Sequence, residues 1–515
     1  MLLSWTAEQV RAAERPLLTA GAPLMERASF ALALAVVRIL RERRGRVRGA
    51  RVALLVGPGN NGGDALYAGA FLRARGVEVT AVCVASRLHD EGARALVAAG
   101  GRLLRPGPDE PATDEPVADE HAVLDAALVL QRADVVLDGV LGTGGRGGGL
   151  GGVAAAVVER FVGLVAAAGA GPAVVAVDVP SGVGVDDGTL TGTVLDAELT
   201  VTFGGAKPAL LLPPAAGAAG RVEVVDIGLD LSGERPAVAR LEPADVAALW
   251  PRPGTGSQKY SRGVLGVVAG SRRYPGAAVL ATDAAVLAGV GMVRYLGAVG
   301  EQVVAHRPEV VLGEGRVQAW ALGPGVPPDD DAQRARIQGA LAGGEPAVVD
   351  AGALAALPER VGPHVVLTPH AGELATLLTT RGVPVRREDV EAEPLRRARE
   401  AHELTGATVL LKGHVTLVVG PDDAAYAQAD APAWLATAGA GDVLAGLLGA
   451  LLAGRSDDVH DDPTLAAALA AAAALVHGHA ADEASPGGPV SALSVARALP
   501  AAVRHLLADP GAPPA

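Results

Sequence analysis

The sequence predicts an α/β protein of two domains, each a largely parallel sheet covered by helices on both faces. Three observations carry this. Short apolar runs, such as Arg51-Val52-Ala53-Leu54-Leu55-Val56 and Val174-Val175-Ala176-Val177, lack polar alternation, as strands buried on both faces do. Each run leads into a tight loop of small residues and then a helical stretch, the order of a βαβ unit. A joint rich in Pro and Gly, residues 229–256, separates two series of such units. The boundary falls near residues 232–236, which gives domains 1–232 and 233–515.

Composition narrows the function. The 515 residues, half of them apolar, suit two or three packed domains. A net charge of −13 argues against non-specific binding to nucleic acid. Cys83 is the only cysteine, so an intrachain disulfide and a cysteine-cluster metal site are excluded; it reads as a buried thiol in a strand. The N-terminus carries early charges and no long apolar core, so no signal peptide is expected. The longest uncharged run, residues 161–177, is broken by Gly169, Gly171 and Pro172, so no membrane span is expected either. The expectation is a cytoplasmic homo-oligomer with neither nucleic acid nor membrane as a partner.

Residues 5–45 read as helix, restarted after Gly21 and Pro23. The strand at 51–57 runs into Gly57-Pro58-Gly59-Asn60-Asn61-Gly62-Gly63-Asp64, read as a glycine-rich loop, with a helix over 66–75 and a strand over 77–84 behind it. Open parallel sheets bind ligands at the carboxyl ends of their strands, where this loop lies. It lacks the Lys-Ser/Thr of a P-loop and the spacing of a dinucleotide fingerprint. Its Asn and Asp side chains offer oxygens to a ribose or a hard cation. A structural glycine turn is the alternative. Two further strands end in Asp: 133–138, followed by Gly139-Val140-Leu141-Gly142-Thr143-Gly144-Gly145-Arg146-Gly147, and 174–178, followed by Val179-Pro180-Ser181-Gly182. In a parallel sheet these three strand ends converge on one crevice. Residues 105–121 read as a solvated loop, and 200–203 and 222–227 as late strands. Lys207-Pro208 has no role derivable from sequence.

The pieces QVRAAE, LMERA, GPGNNGGDA, LDGVLGTGGRG, DVPSG and VVDIG occur in the order of the NAD(P)H-hydrate epimerase domain, which residues 5–230 resemble. The resemblance implies a Rossmann-like three-layer domain that interconverts the R and S epimers of hydrated NADH or NADPH. It implies that Asn60, Asn61, Gly62, Gly63, Asp64, Gly142, Thr143, Gly144, Gly145, Arg146, Gly147 and Gly148 hold the substrate. Asn61, Asp138 and Ser181 would supply oxygens to a potassium ion (K+). Asp178 would contact the reacting ring and transfer the proton; a turn or N-cap role is the alternative. Ala65 stands where the family often has Gly, which costs backbone freedom and no chemical group.

In the second domain, residues 263–271 read as a strand ending in small residues, with a helix from 274 to 287 after it. Strands ending near 322, 350, 367 and 411 lead to Gly323-Pro324-Gly325, Asp350-Ala351-Gly352, Thr368-Pro369-His370-Ala371-Gly372-Glu373 and Lys412-Gly413-His414-Val415-Thr416. His370 reads as a substrate contact, and Lys412 with the amides and hydroxyl behind it as a phosphate site. A structural His and a solvated Lys are the alternatives. The most chemistry per residue lies in Ala438-Gly439-Ala440-Gly441-Asp442, which opens an apolar helix. The unpaired amides of a first helical turn attract phosphate, and a carboxylate there can take a proton from a hydroxyl. A glycine turn with an N-capping Asp would look the same. Residues 455–463 read as an acidic loop and 464–480 as an Ala-rich helix whose His477 and His479 need no metal. Residues 508–515 read as a frayed tail.

AGSRRYPGAAVLA, HRPEV, LGPGV, VVDAGAL, LTPHAGE, LLKGHVTLV and ATAGAGDVLAG, over residues 259–455, resemble the ADP/ATP-dependent NAD(P)H-hydrate dehydratase, a ribokinase-like α/β domain. By that resemblance Ala277, Gly325, His370 and Asp442 line the hydrate site, and Lys412, Gly413, His414, Val415, Thr416 and Gly441 hold the adenine nucleotide, with Mg2+ accompanying it. ADP is favoured, because fused two-domain members are typically bacterial. Residues 258–263 replace the family's usual His-Lys-Gly and carry no assignment. Trp434 stands where many members are Gly-rich. The combined expectation is a repair enzyme that epimerises hydrated NAD(P)H and dehydrates the S form at the expense of ADP. The rival is a ribokinase-like small-molecule kinase, which shares the Gly-Ala-Gly-Asp turn and leaves the first domain unexplained. A nucleotide-sensing scaffold without turnover would not need acidic groups at both sites.

Overall fold

The computed structural model of the chain describes residues 1–106, 119–144 and 148–508. Gly145, Arg146 and Gly147, most of the 105–121 loop, and the tail from 509 lie outside the described residues. The chain divides into two compact units, Leu3–Ala237 and Met1–Leu2 with Val238–Ala515.

The first unit holds a seven-stranded parallel sheet in the order Arg102–Leu104, Glu78–Cys83, Arg51–Val56, Val135–Gly139, Ala173–Val177, Leu199–Phe203, Arg221–Val225. Side chains alternate across it. Leu54 and Val56 pack with helices Leu24–Arg44 and Asn60–Arg73, whereas Ala53 and Leu55 pack with helices Glu120–Gln131 and Gly152–Ala168. Both faces are dry, which is why the strand tolerates no polar alternation. The result is a Rossmann-like three-layer unit. Strand order reverses between Arg51–Val56 and Val135–Gly139, the switch point at which such sheets open a crevice.

One expectation needs correcting here. Asn60, Asn61, Gly62, Gly63 and Asp64 are not in a loop; they form the start of helix Asn60–Arg73. Gly costs about 1 kcal/mol against Ala in a helix, so the segment reads as a breaker. The glycines are there for contact: a Cβ on Gly62 would lie 2.3 Å from the Gly57 carbonyl oxygen, and one on Gly63 2.9 Å from the His89 ring.

The second unit carries a sheet whose strands run in the order Val238–Arg240, Ala425–Gln428, Thr416–Val419, Thr408–Leu411, Val365–Leu367, Ala347–Val349, Ala319–Leu322, Val264–Val268, Met292–Tyr295, Val311–Leu312. From Thr408–Leu411 to Val311–Leu312 every pairing is parallel. Beyond Lys412 the expected strand–loop–helix repeat stops. Thr416–Val419 pairs antiparallel with both Thr408–Leu411 and Ala425–Gln428. The link from 411 to 416 is too short for a crossover, so only a hairpin can form. The 455–463 segment is also not a loop but contains helix Ser456–Asp461. Among the described residues one helix, Leu465–Ala484, is long and apolar enough to cross a membrane; 72% of its apolar window is buried, and it packs within the unit's core.

Helices Pro275–Leu287 and Ala440–Gly454 touch backbone to backbone: a Cβ on Gly446 would lie 2.0 Å from the Ala281 carbonyl oxygen. Both start at the carboxyl edge of the sheet. The first follows Val264–Val268, and the second opens beside Lys412, whose Nζ lies 3.3 Å from where a Gly441 Cβ would be. Ala277 and Asp442, each about one turn before the Ala281–Gly446 contact, therefore share that edge.

Candidate active sites

In the first unit, the turn after Ala173–Val177 holds Asp178 at φ 70°, a left-handed conformation that a non-glycine residue adopts at a cost and that clusters at functional sites. Its Oδ1 accepts hydrogen bonds from Thr202 Oγ1 at 2.9 Å, from the Phe203 amide at 3.4 Å and from Lys207 Nζ. Lys207 is 1% exposed, and its ammonium also donates to Thr202 Oγ1 at 3.1 Å and the Phe203 carbonyl at 3.0 Å. The ammonium is thus fully hydrogen-bonded despite its burial, the condition under which a buried ion pair is tolerated. That is the role the sequence did not reveal for Lys207.

A cavity of about 120 Å³ opens onto this pair, walled by Glu14, Asn60, Asn61, Asp64, Thr143, Asp178 and Lys207 among apolar neighbours. Burial pushes the Asp64 carboxyl well above the usual range, and the charge on Asp178 adds to it. Burial also lifts Glu14, against the pull of Lys207. Gly142 lets the loop close on the helix: a Cβ there would lie 2.1 Å from Asn61 Oδ1. Arg11 ties the same loop down by donating to the Thr143 carbonyl at 2.9 Å. The structure thus brings Asn60, Asn61, Asp64, Thr143 and Asp178 together. Gly62 and Gly63 are buried in the helix, and Gly144 and Gly148 border open space.

Behind the cavity, Asp138 is fully buried. Its Oδ2 accepts from the Ser181 amide at 2.8 Å and its Oδ1 from Ser181 Oγ at 2.6 Å. Ser181 Oγ lies 3.2 Å from the Leu141 carbonyl oxygen, and Asn61 Nδ2 donates to that oxygen at 3.4 Å. Burial raises the Asp138 carboxyl, and the Ser181 bonds oppose the shift. Among the described residues no cationic side chain pairs with it. One carboxylate with neutral oxygens on Ser181, Leu141 and Asn61 suits a monovalent cation better than a divalent one. The Asn61 amide nitrogen also donates to the Val177 carbonyl at 2.5 Å, which fixes its orientation at this site.

In the second unit, His370 and Lys412 lie side by side at the ends of adjacent strands, the Lys412 amide donating to the Pro369 carbonyl at 2.8 Å. Lys412 Nζ is 2.7 Å from Asp350 Oδ1 and 3.7 Å from Glu373 Oε2. Asp350 is buried and also accepts from Thr368 Oγ1 at 2.8 Å. Burial opposes the Lys412 charge, but the two carboxylates outweigh it and hold the ammonium above its usual range.

Asp442 stands in the first turn of Ala440–Gly454, whose N-cap is Gly439 at φ 88°. The carboxylate is therefore not the cap. Burial raises it, the charge on Asp350 raises it further, Lys412 opposes, and it comes to about 7. A group poised there exchanges protons readily at neutral pH.

A cavity of about 540 Å³, the size of a small-ligand site, is lined by His370, Lys412, Gly413, His414, Thr416 and Gly441, with Pro432, Leu435, Leu444, Ala474 and His477 as its apolar side. His370 has two jobs. Its Nδ1 caps helix Ala371–Thr380 by accepting from the Gly372 and Glu373 amides at 3.1 and 3.3 Å, while the ring remains exposed to the cavity. Val415 is buried and points away from solvent. Ala277 and Gly325 meet each other, a Gly325 Cβ falling 2.5 Å from Ala277 Cβ. His477 is buried beside the cavity with its Nε2 unpartnered, and burial, then the Lys412 charge, pushes it down to about 4.

Asp350, Glu373 and His477 escaped the sequence reading, as did Glu14, Arg11 and Lys207. Asp350 carried a signal: it ends a strand just as Asp138 and Asp178 do. Lys207 carried none, being 29 residues from its partner.

Residues 265–498 match the family model described as NAD(P)H-hydrate dehydratase, and residues 21–209 match the YjeF-related protein N-terminus. The chain is similar to the bifunctional NAD(P)H-hydrate repair enzyme Nnr of Mycobacterium tuberculosis, at 43% identity over 87% of this chain and 89% of that protein. Its first unit is similar to the NAD(P)H-hydrate epimerase of Clavibacter michiganensis, at 44% identity over 45% of this chain and 94% of the relative. Among solved structures, the ADP/ATP-dependent NAD(P)H-hydrate dehydratase from Bacillus subtilis, co-crystallised with ATP and Mg2+, is 28% identical with a TM-score of 0.46, over 52% of this chain and 99% of that one.

Proposed function

The chain belongs to the family of bifunctional NAD(P)H-hydrate repair enzymes, and from that premise we propose how it divides the work. Residues 1–232 interconvert the R and S epimers of hydrated NAD(P)H. Residues 233–515 dehydrate the S epimer back to NAD(P)H at the expense of a nucleotide, ADP in preference to ATP.

The observation that carries the dehydration step is Asp442 at about 7, in the first turn of a helix beside the Lys412–Asp350 pair. Hydroxide is a poor leaving group, so the hydroxyl must be converted into phosphate. Asp442 takes the hydroxyl proton. The oxygen attacks the terminal phosphorus of ADP, a P–O bond to substrate forms, and the P–O bond to AMP breaks. Phosphate then departs with its C–O bond electrons, the neighbouring ring carbon loses a proton, and the C=C bond is restored. The amides at the helix start and the Lys412 ammonium stabilise charge on the phosphoryl oxygens. Lys412, Gly413, His414, Val415, Thr416 and Gly441 hold the nucleotide; Ala277, Gly325, His370 and Asp442 face the hydrate. Mg2+ would neutralise phosphate charge. Among the described residues no cluster of three or more His, Cys, Asp or Glu could hold a metal ion, so the nucleotide's own phosphates are its natural ligands.

In the first unit, Asp178 is the proton-transfer group, and Asn60, Asn61, Gly62, Gly63 and Asp64 with the 142–148 loop receive the substrate. Asn61, Asp138 and Ser181 would hold K+, which supplies positive charge where a buried carboxylate has no cationic side chain. A homo-oligomer in the cytoplasm, without nucleic acid or membrane partners, completes the proposal; the net charge of −13 supports the exclusion of nucleic acid.

The test is incubation of pure S hydrate with ADP and Mg2+. Absorbance of the reduced ring returns, and AMP and phosphate appear together. A stable phosphoester in place of NAD(P)H would instead identify a kinase. The pure R epimer, by the same assay, is repaired rapidly only when both units act.

A further inference from the structure

We propose that Asp64 is a second catalytic group of the first unit, a neutral carboxylic acid that protonates the departing hydroxyl while Asp178, beside Lys207, receives the proton of the incoming water. This rests on the epimerase reading above and deepens it.

The surroundings of Asp64 favour its neutral form. The carboxyl is buried at the start of the helix. Ser29 Oγ has one hydrogen and two acceptors for it, the Met25 carbonyl at 2.6 Å and Asp64 Oδ1 at 3.2 Å, so it gives the carboxyl only weak support as an anion. Asp178 faces it from the third strand end, Glu14 from helix Ala7–Thr19 and Lys207 from the turn before Pro208–Leu210. His89 abuts the same helix at Gly63 with its Nδ1 occupied by the Gly92 amide at 3.1 Å. The one nearby ammonium, Lys207, bonds directly to Asp178 and not to Asp64. Burial, first, and then the Asp178 charge push Asp64 upward, and the Ser29 hydrogen bond and the Lys207 charge oppose them without prevailing. Two carboxyls on one cavity thus sit in different environments, one bonded to an ammonium and one not, the arrangement by which environments assign acid and base.

The chemistry balances. Hydration of an enamine-like ring bond places the hydroxyl on the carbon attached to the ring nitrogen. Asp64 gives its proton to that oxygen, the C–O bond breaks, and water leaves with the bonding pair. The nitrogen lone pair closes a C=N bond with positive charge on the ring. Water adds to the opposite face, a new C–O bond forms, and its surplus proton passes to Asp178. Asp64 is now the carboxylate and Asp178 the acid, so the reverse epimerisation resets them, or cavity water does.

The test is Asp64→Asn in the full-length protein, an isostere that keeps the shape of the side chain and an oxygen to face Ser29. Epimerisation of the R hydrate should fall about 10²–10⁴-fold in kcat with KM changed little, the usual worth of a positioned acid. Dehydration of pure S hydrate by the second unit reports that the protein has folded. Wild-type epimerisation should fall at high pH as Asp64 loses its proton, and the variant should lack that limb. The wild-type-minus-variant infrared difference spectrum at neutral pH should contain one carboxylic-acid band. Epimerisation within threefold of wild type, or an unchanged high-pH limb, overturns the assignment. A wild-type protein that does not epimerise at all overturns the underlying reading instead.

Discussion

The two sites use the same parts and wire them differently. Each lies at the carboxyl edge of a parallel sheet and sets a lysine among carboxylates. In the first unit, Lys207 bonds directly to Asp178 and leaves Asp64 without a cation. In the second, Lys412 bonds to Asp350, and Asp442 is left at about 7. The lysine's choice of partner thus sets which carboxyl sits directly against a cation and which does not.

The sharpest way to break the comparison is to remove the reactive group of one site and watch the other. Asp442→Asn should lower dehydration of the S hydrate about 10²–10⁴-fold while epimerisation persists; parallel loss of both rates would mean that the variant had merely misfolded. Removing a lysine should do the reverse of what a surface change does. Lys207→Met leaves Asp178 buried and unpaired, so the first unit should lose about 3–5 kcal/mol of stability, read by urea unfolding. A loss under about 1 kcal/mol, the range of an exposed pair, would show that the pair is wetter than it looks.

Smaller effects refine the second site. Gly446→Ala pushes a methyl into the Ala281 carbonyl and should cost about 1–3 kcal/mol, with dehydration impaired more than nucleotide binding because Ala277 and Asp442 are displaced together. Asp350→Asn removes the negative charge that helps raise Asp442 and frees Lys412 to approach it. Both effects favour the charged carboxylate, so the midpoint of the dehydration pH profile should move below about 7. A midpoint that stays or rises would show that Asp350 is not what tunes Asp442.

What the sequence made legible follows the same divide. Strand-end loops are local, and Asn60–Asp64, Asp138, Asp178, His370 and Lys412 were visible because each stands at the end of an apolar run, and Asp442 because it opens one. The helical state of Asn60–Asp64 was not visible, because glycines that serve close packing look like glycines that break helices. Nor was the hairpin after Lys412, whose strands resemble the parallel ones in composition and differ only in the length of their link. Ion-pair choice lies furthest from sequence. Lys207 meets Asp178, and Asp350 meets Lys412 across 62 positions, only because the sheets bring them to one edge.

The pH dependence of S-hydrate dehydration, at saturating ADP and Mg2+ in the wild type and in Asp442→Asn, addresses the central assignment directly. A raised carboxyl acts as base only once deprotonated, so the wild-type rate should climb with pH through about 7 and level off above it, on a one-proton limb that the variant lacks. A profile flat across neutrality, or a variant that retains both the limb and the rate, would contradict it.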